Sequence, residues 1–396
     1  MQKLYYANPY VTEFEAEILG VEPYGEGHAV ILNKTAFYPE GGGQPSDTGY
    51  INDTPVLQVI EEQGTVLHIV DSPLPAGTAK CRVDWDRRFD HMQQHTGQHI
   101  VSASFYKLFE GVTDSFHLGR DIVSIEIGID SFDEAMAVQV EDLANSKVFA
   151  DLPVKTYMTD KAGAAKLPLR KQPKVESDIR IVEIQGLDFS PCGGTHVFRT
   201  GEVGLIKLLG WEKCKGGHRI TFICGNRALK DYRAKTSIMS SLGAKLSARQ
   251  DTLEEAFDKV VIDLKEYQKL SSALNMQLLR YESDELLKNS KQVNGTYIVD
   301  KVFEGRSFGD IKTIAQNIIQ EPSHVALFVC RNEALQVLFS RSDDVKVDMN
   351  NIMKPFLNII NGKGGGSPKA AQGGGSKIEA AREFLAAAAE KLKDQL

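Results

Sequence analysis

Two separated segments carry residue types that could hold a metal ion. In Asp90-His91-Met92-Gln93-Gln94-His95-Thr96-Gly97-Gln98-His99, histidine recurs at every fourth position. On a helix that spacing puts the imidazoles on one face about 6 Å apart, close enough for two of them to share one ion. Cys192-Gly193-Gly194-Thr195-His196 adds a thiolate and an imidazole around a Gly-Gly turn. Together the half-sites could close a tetrahedral His-His-Cys-His shell, for which zinc is the fitting ion.

A compact ion takes only one i, i+4 pair from the histidine stripe. Asp90 reads as an N-cap with Gln93 at the capping-box position, which makes His91 the first helical residue, in the turn that frays. The expected ligands are therefore His95, His99, Cys192 and His196, with His91 left as a substrate contact or as support for a ligand. A lone helical histidine is more often an ordinary polar residue, but two matched half-sites in one chain reverse that preference.

These segments follow Thr35-Ala36-Phe37-Tyr38-Pro39-Glu40-Gly41-Gly42-Gly43-Gln44. The three pieces, in this order, resemble the signatures of the editing domain of alanyl-tRNA synthetase. They resemble more closely those of its free-standing relatives, the AlaX-type alanyl-tRNA editing proteins. The likeness spans nearly the whole chain and is most specific over residues 35 to 225. It implies a trans-editing hydrolase with one zinc ion per chain that deacylates mischarged tRNA(Ala), Ser-tRNA(Ala) chiefly and Gly-tRNA(Ala) second. No room precedes this region for an aminoacylation domain, so no charging activity is expected.

The chemistry asked of such a site is hydrolysis of the ester between an amino acid and the terminal ribose. Zinc can polarise the carbonyl, activate a bound water or orient the substrate. Four protein ligands fill a tetrahedral shell, so one ligand is loose, the ion expands to five-coordinate, or it only positions the substrate; these alternatives stay open. Gln44 and Thr35 are expected to line the pocket as its catalytic polar groups. A hydrophobic pocket alone separates such small amino acids by about 1–3 kcal/mol, whereas a hydrogen bond to a substrate hydroxyl discriminates more strongly. Thr35 is the residue expected to sense the serine hydroxyl.

The 396 residues, 42% hydrophobic and 25% charged, describe a soluble chain of two or three domains. Five cysteines, an odd and sparse set, do not make a disulfide framework, and no apolar run approaches the ~20 residues of a membrane span. The N-terminus lacks a signal-peptide pattern, and a cytoplasmic setting is expected. A net charge of -7 argues against a protein that coats nucleic acid broadly. Local charge differs. Lys155, Lys161, Lys166, Arg170, Lys171 and Lys174 form one basic group, and Lys207, Lys213, Lys215 and Arg219 a second. Such groups are usually solvated surface, but beside an editing site they are candidates for gripping the acceptor end, Arg219 among them.

The elements that must position these residues suggest an α+β multidomain chain. Residues 1–88 alternate in short segments between turns and are read as a small β-barrel, of the translation-factor type by the resemblance. Its loop from Phe37 to Gly49 has glycines that let backbone approach a ligand, so Gly42 and Gly43 are expected substrate contacts. Residues 89–225 form the α+β editing domain. Its first helix runs to Phe109 with Ile100, Val101, Phe105 and Leu108 buried and Gly111 as the stop. A second helix is expected over about 131–147, with strands over 124–129, 180–184, 203–209 and 219–224.

Residues 226–292 read as a helical hairpin or coiled coil in which Leu253, Phe257, Val260, Leu264, Tyr267, Leu274, Leu278 and Tyr281 recur in steps of four and three. That seam suits either a self-packed spacer or a homodimer interface. Residues 293–396 read as a compact α/β module that resembles the C-terminal domain alanyl-tRNA synthetase shares with the DHH phosphoesterases, although the Asp-His-His motif is absent. Gly362 to Gly375 is expected to be a folded phosphate-binding loop running into a helix capped by Ser376, with Lys363 and Lys369 as tRNA contacts. Two other readings are carried beside the editing enzyme. One is a tRNA or nucleic-acid binding protein with a structural zinc, the other a metallohydrolase of small amino-acid esters or amides.

Overall fold

The computed structural model describes residues 1–173 and 178–396; Lys174, named above in the first basic group, lies outside the described residues. The chain divides into two compact units, residues 1–244 and 245–396. None of the helices among the described residues is long and apolar enough to cross a membrane.

In the first unit, alternation of apolar and polar residues produces six antiparallel strands: β1 (Glu13–Tyr24), β2 (Gly27–Leu32), β3 (Gly49–Ile51), β4 (Thr54–Glu62), β5 (Thr65–Val70) and β6 (Gly77–Val83). They pair in the closed order β1-β2-β5-β4-β3-β6. Every second side chain, including Val30, Leu32, Val59, Val66 and Val70, faces one core. Helix α1 (Trp85–Phe109) follows directly and is buried along most of its length.

Two antiparallel layers surround that helix. Strands β7 (Val112–Leu118) and β8 (Val123–Gly128) share a sheet with β12 (Ile206–Cys214) and β13 (Gly217–Cys224), in the order β12-β13-β8-β7. Strands β9 (Val154–Thr159), β10 (Ile179–Ile184) and β11 (Asp188–Pro191) form a second sheet in sequence order. Ile100, Val101 and Phe105 of α1 join Val140 and Ala144 of helix α2 (Glu134–Phe149) and Ile125, Ile220 and Phe222 of the larger sheet in one core.

Three local expectations for this unit are corrected. The N-cap of α1 is Asp84, whose carboxylate accepts from the Arg87 amide, so Asp90 and His91 lie inside the helix. Asp84 offers the same capping chemistry one and a half turns earlier, and Asp90 is used instead by Arg227, at 2.7 Å. The helix does end at Phe109, but Glu110 rather than Gly111 takes the left-handed conformation, with φ 55°. Leu108 is 37% exposed, so it does not belong to the buried face.

Helix α3 (Gly225–Leu246) closes the first unit, and helix α4 (Leu253–Lys288) opens the second. Most of the expected seam on α4 is exposed, Tyr267 at 70% and Tyr281 at 74%, while Leu253 is buried. Beyond it a six-stranded sheet is covered on both faces. Ile311, Ile314 and Ile318 of the helix Phe308–Ile319 pack on one side, and Phe384, Ala388 and Leu392 of the helix Ala381–Lys393 on the other.

Here the glycine-rich segment is corrected too. Gly362–Gly366 and Ala370–Gly375 are two strands of a hairpin, paired from Gly362 with Gly375 to Gly366 with Ala371. The second of them also pairs with Leu335–Arg341. The ladder engages Ala370–Gly375 on both sides and the inward amides of the edge strand Gly362–Gly366, so the segment is extended rather than a looped anion cradle. Ser376 does not cap the last helix; a short 3-10 turn, Ile378–Ala380, precedes it, with no side-chain cap.

Candidate metal centre and its cleft

Helix α1 presents His95 and His99 on one face, and the turn after β11 brings Cys192 and His196 to meet them. One donor atom from each of the four lies within 4.8 Å of all the others. Cys192 Sγ is 3.3 Å from His95 Nε2 and 3.4 Å from His196 Nε2. A tetrahedral shell with zinc bonds of about 2.0–2.3 Å has edges of about 3.3–3.8 Å, so the donors already stand near a zinc-sized arrangement.

The remaining ring nitrogens explain why the donors point inward. His95 Nδ1 meets Gln44 Oε1 at 2.8 Å, His99 Nδ1 meets Asp188 Oδ2 at 2.9 Å, and His196 Nδ1 meets Thr96 Oγ1 at 3.1 Å. The Gln44 and Asp188 oxygens can only accept, so they fix hydrogen on Nδ1 of His95 and His99 and leave those Nε2 lone pairs for an ion, while the Thr96 hydroxyl, which also accepts from the Val197 amide, holds the His196 ring in place. These partners are themselves held. Gln44 Oε1 also accepts from the Thr195 amide and its Nε2 donates to Thr195 Oγ1, while Asp188 accepts from Arg170 Nε at 2.5 Å and from Ser190 Oγ. Burial alone would raise the Asp188 carboxyl, but His99 and Arg170 hold it well below the usual carboxylate range. Burial likewise pushes the Cys192 thiol up, and the imidazoles of His95 and His196 outweigh it, so that the thiol lies well below its ordinary value. This arrangement of three oriented imidazoles and a thiolate fits zinc.

The Gly-Gly turn is required by close approach. A Cβ on Gly194 would stand 2.2 Å from His95 Cε1 and 2.8 Å from Gln44 Oε1, so any side chain there would displace a donor ring. Arg180 holds the same turn, donating from Nη1 to the carbonyls of Cys192 and Gly194, both at 2.8 Å. Its guanidinium lies 5.0 Å from the Tyr6 ring centroid, and no carboxylate pairs with it among the described residues.

His95, His99 and Cys192 form part of the wall of a cleft of about 600 Å³ that is also lined by Tyr6, Gln98, Phe116, Arg170 and Arg180, and His196 is buried behind them. Gly42 reaches this cleft, and Gly43 packs with φ 85° against the Phe116 backbone. Gln44 and Thr35 do not line it, which corrects their expected placement. Gln44 is 1% exposed because it lies behind His95. Thr35 is fully buried in the barrel: its hydroxyl is 2.8 Å from His68 Nε2 and accepts from the Phe37 amide. His68 Nδ1 donates to the Val30 carbonyl, which leaves Nε2 as the acceptor and assigns the Thr35 proton to it. Burial lowers the His68 pKa to about 4.

The other expected contacts are dispersed. His91 is buried, its Nδ1 has no partner, and burial brings its pKa down to about 4. Arg219 is paired with Glu126 and Glu212 on the sheet surface. Lys363 is exposed on the hairpin, and Lys369 pairs with Asp343. Sequence reading missed Asp188, Thr96, Arg180 and the true position of Arg170. A carboxylate four residues before Cys192 was the one available signal.

A class of protein follows from this geometry and from its matches. Residues 179–221 match the family described as the threonyl and alanyl tRNA synthetase second additional domain, residues 6–87 the class II (A) tRNA synthetases, and residues 294–394 the DHHA1 domain. The alanyl-tRNA editing protein AlaX-L of Pyrococcus horikoshii is 34% identical over 100% of this chain and 99% of its own. The alanyl-tRNA editing protein Aarsd1-A of Xenopus laevis is 30% identical over 93% of this chain and 92% of its own. The alanine–tRNA ligase of Pyrococcus abyssi is 29% identical over 96% of this chain, but only 43% of the ligase is matched. The chain belongs to the AlaX-type alanyl-tRNA editing proteins.

Proposed function

We propose that this chain is a trans-editing deacylase that hydrolyses the aminoacyl ester of mischarged tRNA(Ala), chiefly Ser-tRNA(Ala) and secondarily Gly-tRNA(Ala), with zinc held by His95, His99, Cys192 and His196. The observation that carries the reading is the convergence of those four donors at an open cleft, with His95, His99 and Cys192 on its wall. The names of the full-length relatives support the substrate.

When bound, zinc supplies polarisation of the ester carbonyl and orientation of a nearby water. The chain's own residues do the rest. Gln44, Asp188 and Thr96 aim the imidazoles, and Arg180 holds the turn that carries Cys192. Phe116 lies 4.9 Å from the His95 ring centroid and walls the space beside it, which favours a small aminoacyl group. Because the Thr35 proton is engaged by His68, discrimination by a hydroxyl falls to groups on the cleft surface. Thr113 lines the cleft, and its hydroxyl donates to Ser102 Oγ at 2.7 Å, leaving its lone pairs to accept from a serine hydroxyl.

The test compares purified full chain on Ser-tRNA(Ala) and Ala-tRNA(Ala), with and without a chelator. Rapid release of serine, sparing of alanine and loss of turnover on chelation are expected. Equal hydrolysis of both substrates, or turnover indifferent to chelation, would overturn the reading. A closed shell of four protein donors also suits a structural zinc in a tRNA-binding protein. Under that reading Cys192→Ala unfolds the first unit; under ours it abolishes deacylation while the circular dichroism spectrum is kept.

A further inference from the structure

We propose that the cleft continues beyond the metal cluster into a nucleoside subsite, in which the Tyr106 ring stacks on the base of the substrate's 3′-terminal nucleotide. This rests on the deacylase reading, which supplies an ester on a terminal ribose as the substrate.

The argument starts from the order of residues along α1. His95, His99, Gln98 and Tyr106 all line the same cleft. Tyr106 follows His99 by seven residues, which is two helical turns, about 10 Å along the axis. Helical side chains lean toward the N-terminus, so the ring reaches back over the preceding turn, toward the metal donors. Gln98 and Thr113 line the same wall and are tied together through buried Ser102, on the turn between His99 and Tyr106: Gln98 Nε2 donates to Ser102 Oγ at 2.8 Å, and Thr113 Oγ1 donates to the same oxygen at 2.7 Å. Metal donors, polar groups and an aromatic ring therefore succeed one another along one wall. A 3′-aminoacyl nucleoside presents its carbonyl, its ribose hydroxyls and its base in the same order and over a similar length.

Size and exposure agree. A volume of about 600 Å³ is several times what a two- or three-carbon aminoacyl group fills and lies in the range of sites that enclose a whole small molecule. Tyr106 is 46% exposed on this wall, and among the described residues no other aromatic ring packs on it. At the rim, the Lys171 ammonium meets, among the described residues, the Asp114 carbonyl at 3.5 Å, and it faces the phosphate that follows the nucleoside. Stacking on an aromatic side chain tolerates any base, because every base has a π face.

The test uses two hydrolysis-resistant amides, 3′-serylamino-3′-deoxyadenosine and its counterpart without the base, titrated calorimetrically into the zinc-loaded full chain and into Tyr106→Ala and Tyr106→Phe. The adenosine compound is expected to bind the unmodified chain about 10- to 100-fold more tightly than the baseless one. Tyr106→Ala should erase that ratio, Tyr106→Phe should keep it, and the baseless compound should bind all three alike. With Ser-tRNA(Ala), Tyr106→Ala should raise KM and leave kcat nearly unchanged. An undiminished ratio in Tyr106→Ala, or equal weakening of both compounds, would overturn the subsite. A base-dependent ratio without turnover of Ser-tRNA(Ala) would keep the subsite and reject the deacylase, so the two claims fail separately.

Discussion

Two glycine-rich stretches of this chain have similar composition and opposite fates. Gly41 to Gly43 form a tight loop in which Gly41 and Gln44 exchange both backbone hydrogen bonds, and the chain leaves it to place Gln44 against His95. Gly362 to Gly375 instead make two extended strands whose amides pair with one another and with the neighbouring strand. In both places the absent side chains permit close approach; the partner differs. The first run is short and pinned by a buried anchor: the Asp47 carboxylate accepts from the Tyr38 amide and pairs with the fully buried Arg88 of α1. The second has glycine blocks on either side of Ser367-Pro368-Lys369, so each block finds the other across a turn. Glycine specifies what may approach, and the flanking residues decide what does.

Breaking the anchor should have the largest effect. Asp47→Ala leaves the Arg88 charge buried without its partner, at a cost of about 3–5 kcal/mol, and releases the loop that carries Gln44. Denaturant melts should show that loss together with reduced zinc content; an unchanged midpoint would remove Asp47 as the anchor.

A narrower test separates loop from ligand. Gln44→Leu removes the acceptor of His95 Nδ1 and should weaken zinc binding about 10- to 100-fold with little change in fold, as read by competition with a chromophoric chelator. Gly366→Ala, whose Cβ would stand 2.2 Å from the Ala370 carbonyl oxygen, should destabilise the hairpin and leave zinc affinity alone. If both variants lost zinc equally, the contrast between the two stretches would fail.

The barrel beneath the first loop should also respond to pH. Buried His68 has its pKa lowered to about 4 from an ordinary value near 6.5. Between those values the unfolded chain binds the proton and the folded chain does not, so stability is full above pH 6.5 and falls as the pH drops toward 4. The contribution is about 3 kcal/mol. His68→Gln should flatten that slope in melts recorded from pH 7 to 4.5; an unaltered slope would assign it to other groups. The smallest effect belongs to the second stretch. If exposed Lys363 meets a tRNA phosphate, Lys363→Ala should reduce the slope of log affinity against log salt by about 1, and an unchanged slope would remove that contact.

Much of the candidate site was legible because its spacing is local. His95 and His99 are four apart on a helix, as Cys192 and His196 are across their turn, and such separations constrain geometry whatever surrounds them. The start of α1 was misread because Asp84 and Asp90 have the same capping chemistry, and only the Asp90–Arg227 pair, 137 residues apart in the chain, separates them. Thr35 and Gln44 looked like pocket residues because polar groups beside glycine suggest a ligand. In the folded chain both are turned to protein partners, His68 and His95. The hairpin was missed because its glycines carry no side chains whose alternation would mark a strand.

By itself the sequence determined which donors could share an ion, since helix and turn geometry act within a few residues. Tertiary structure alone decided which atoms orient those donors. Gln44 reaches His95 across 51 residues, Asp188 reaches His99 across 89, and Thr96 reaches His196 across 100. Contacts of that separation are set by the packing of whole elements, which no local spacing encodes.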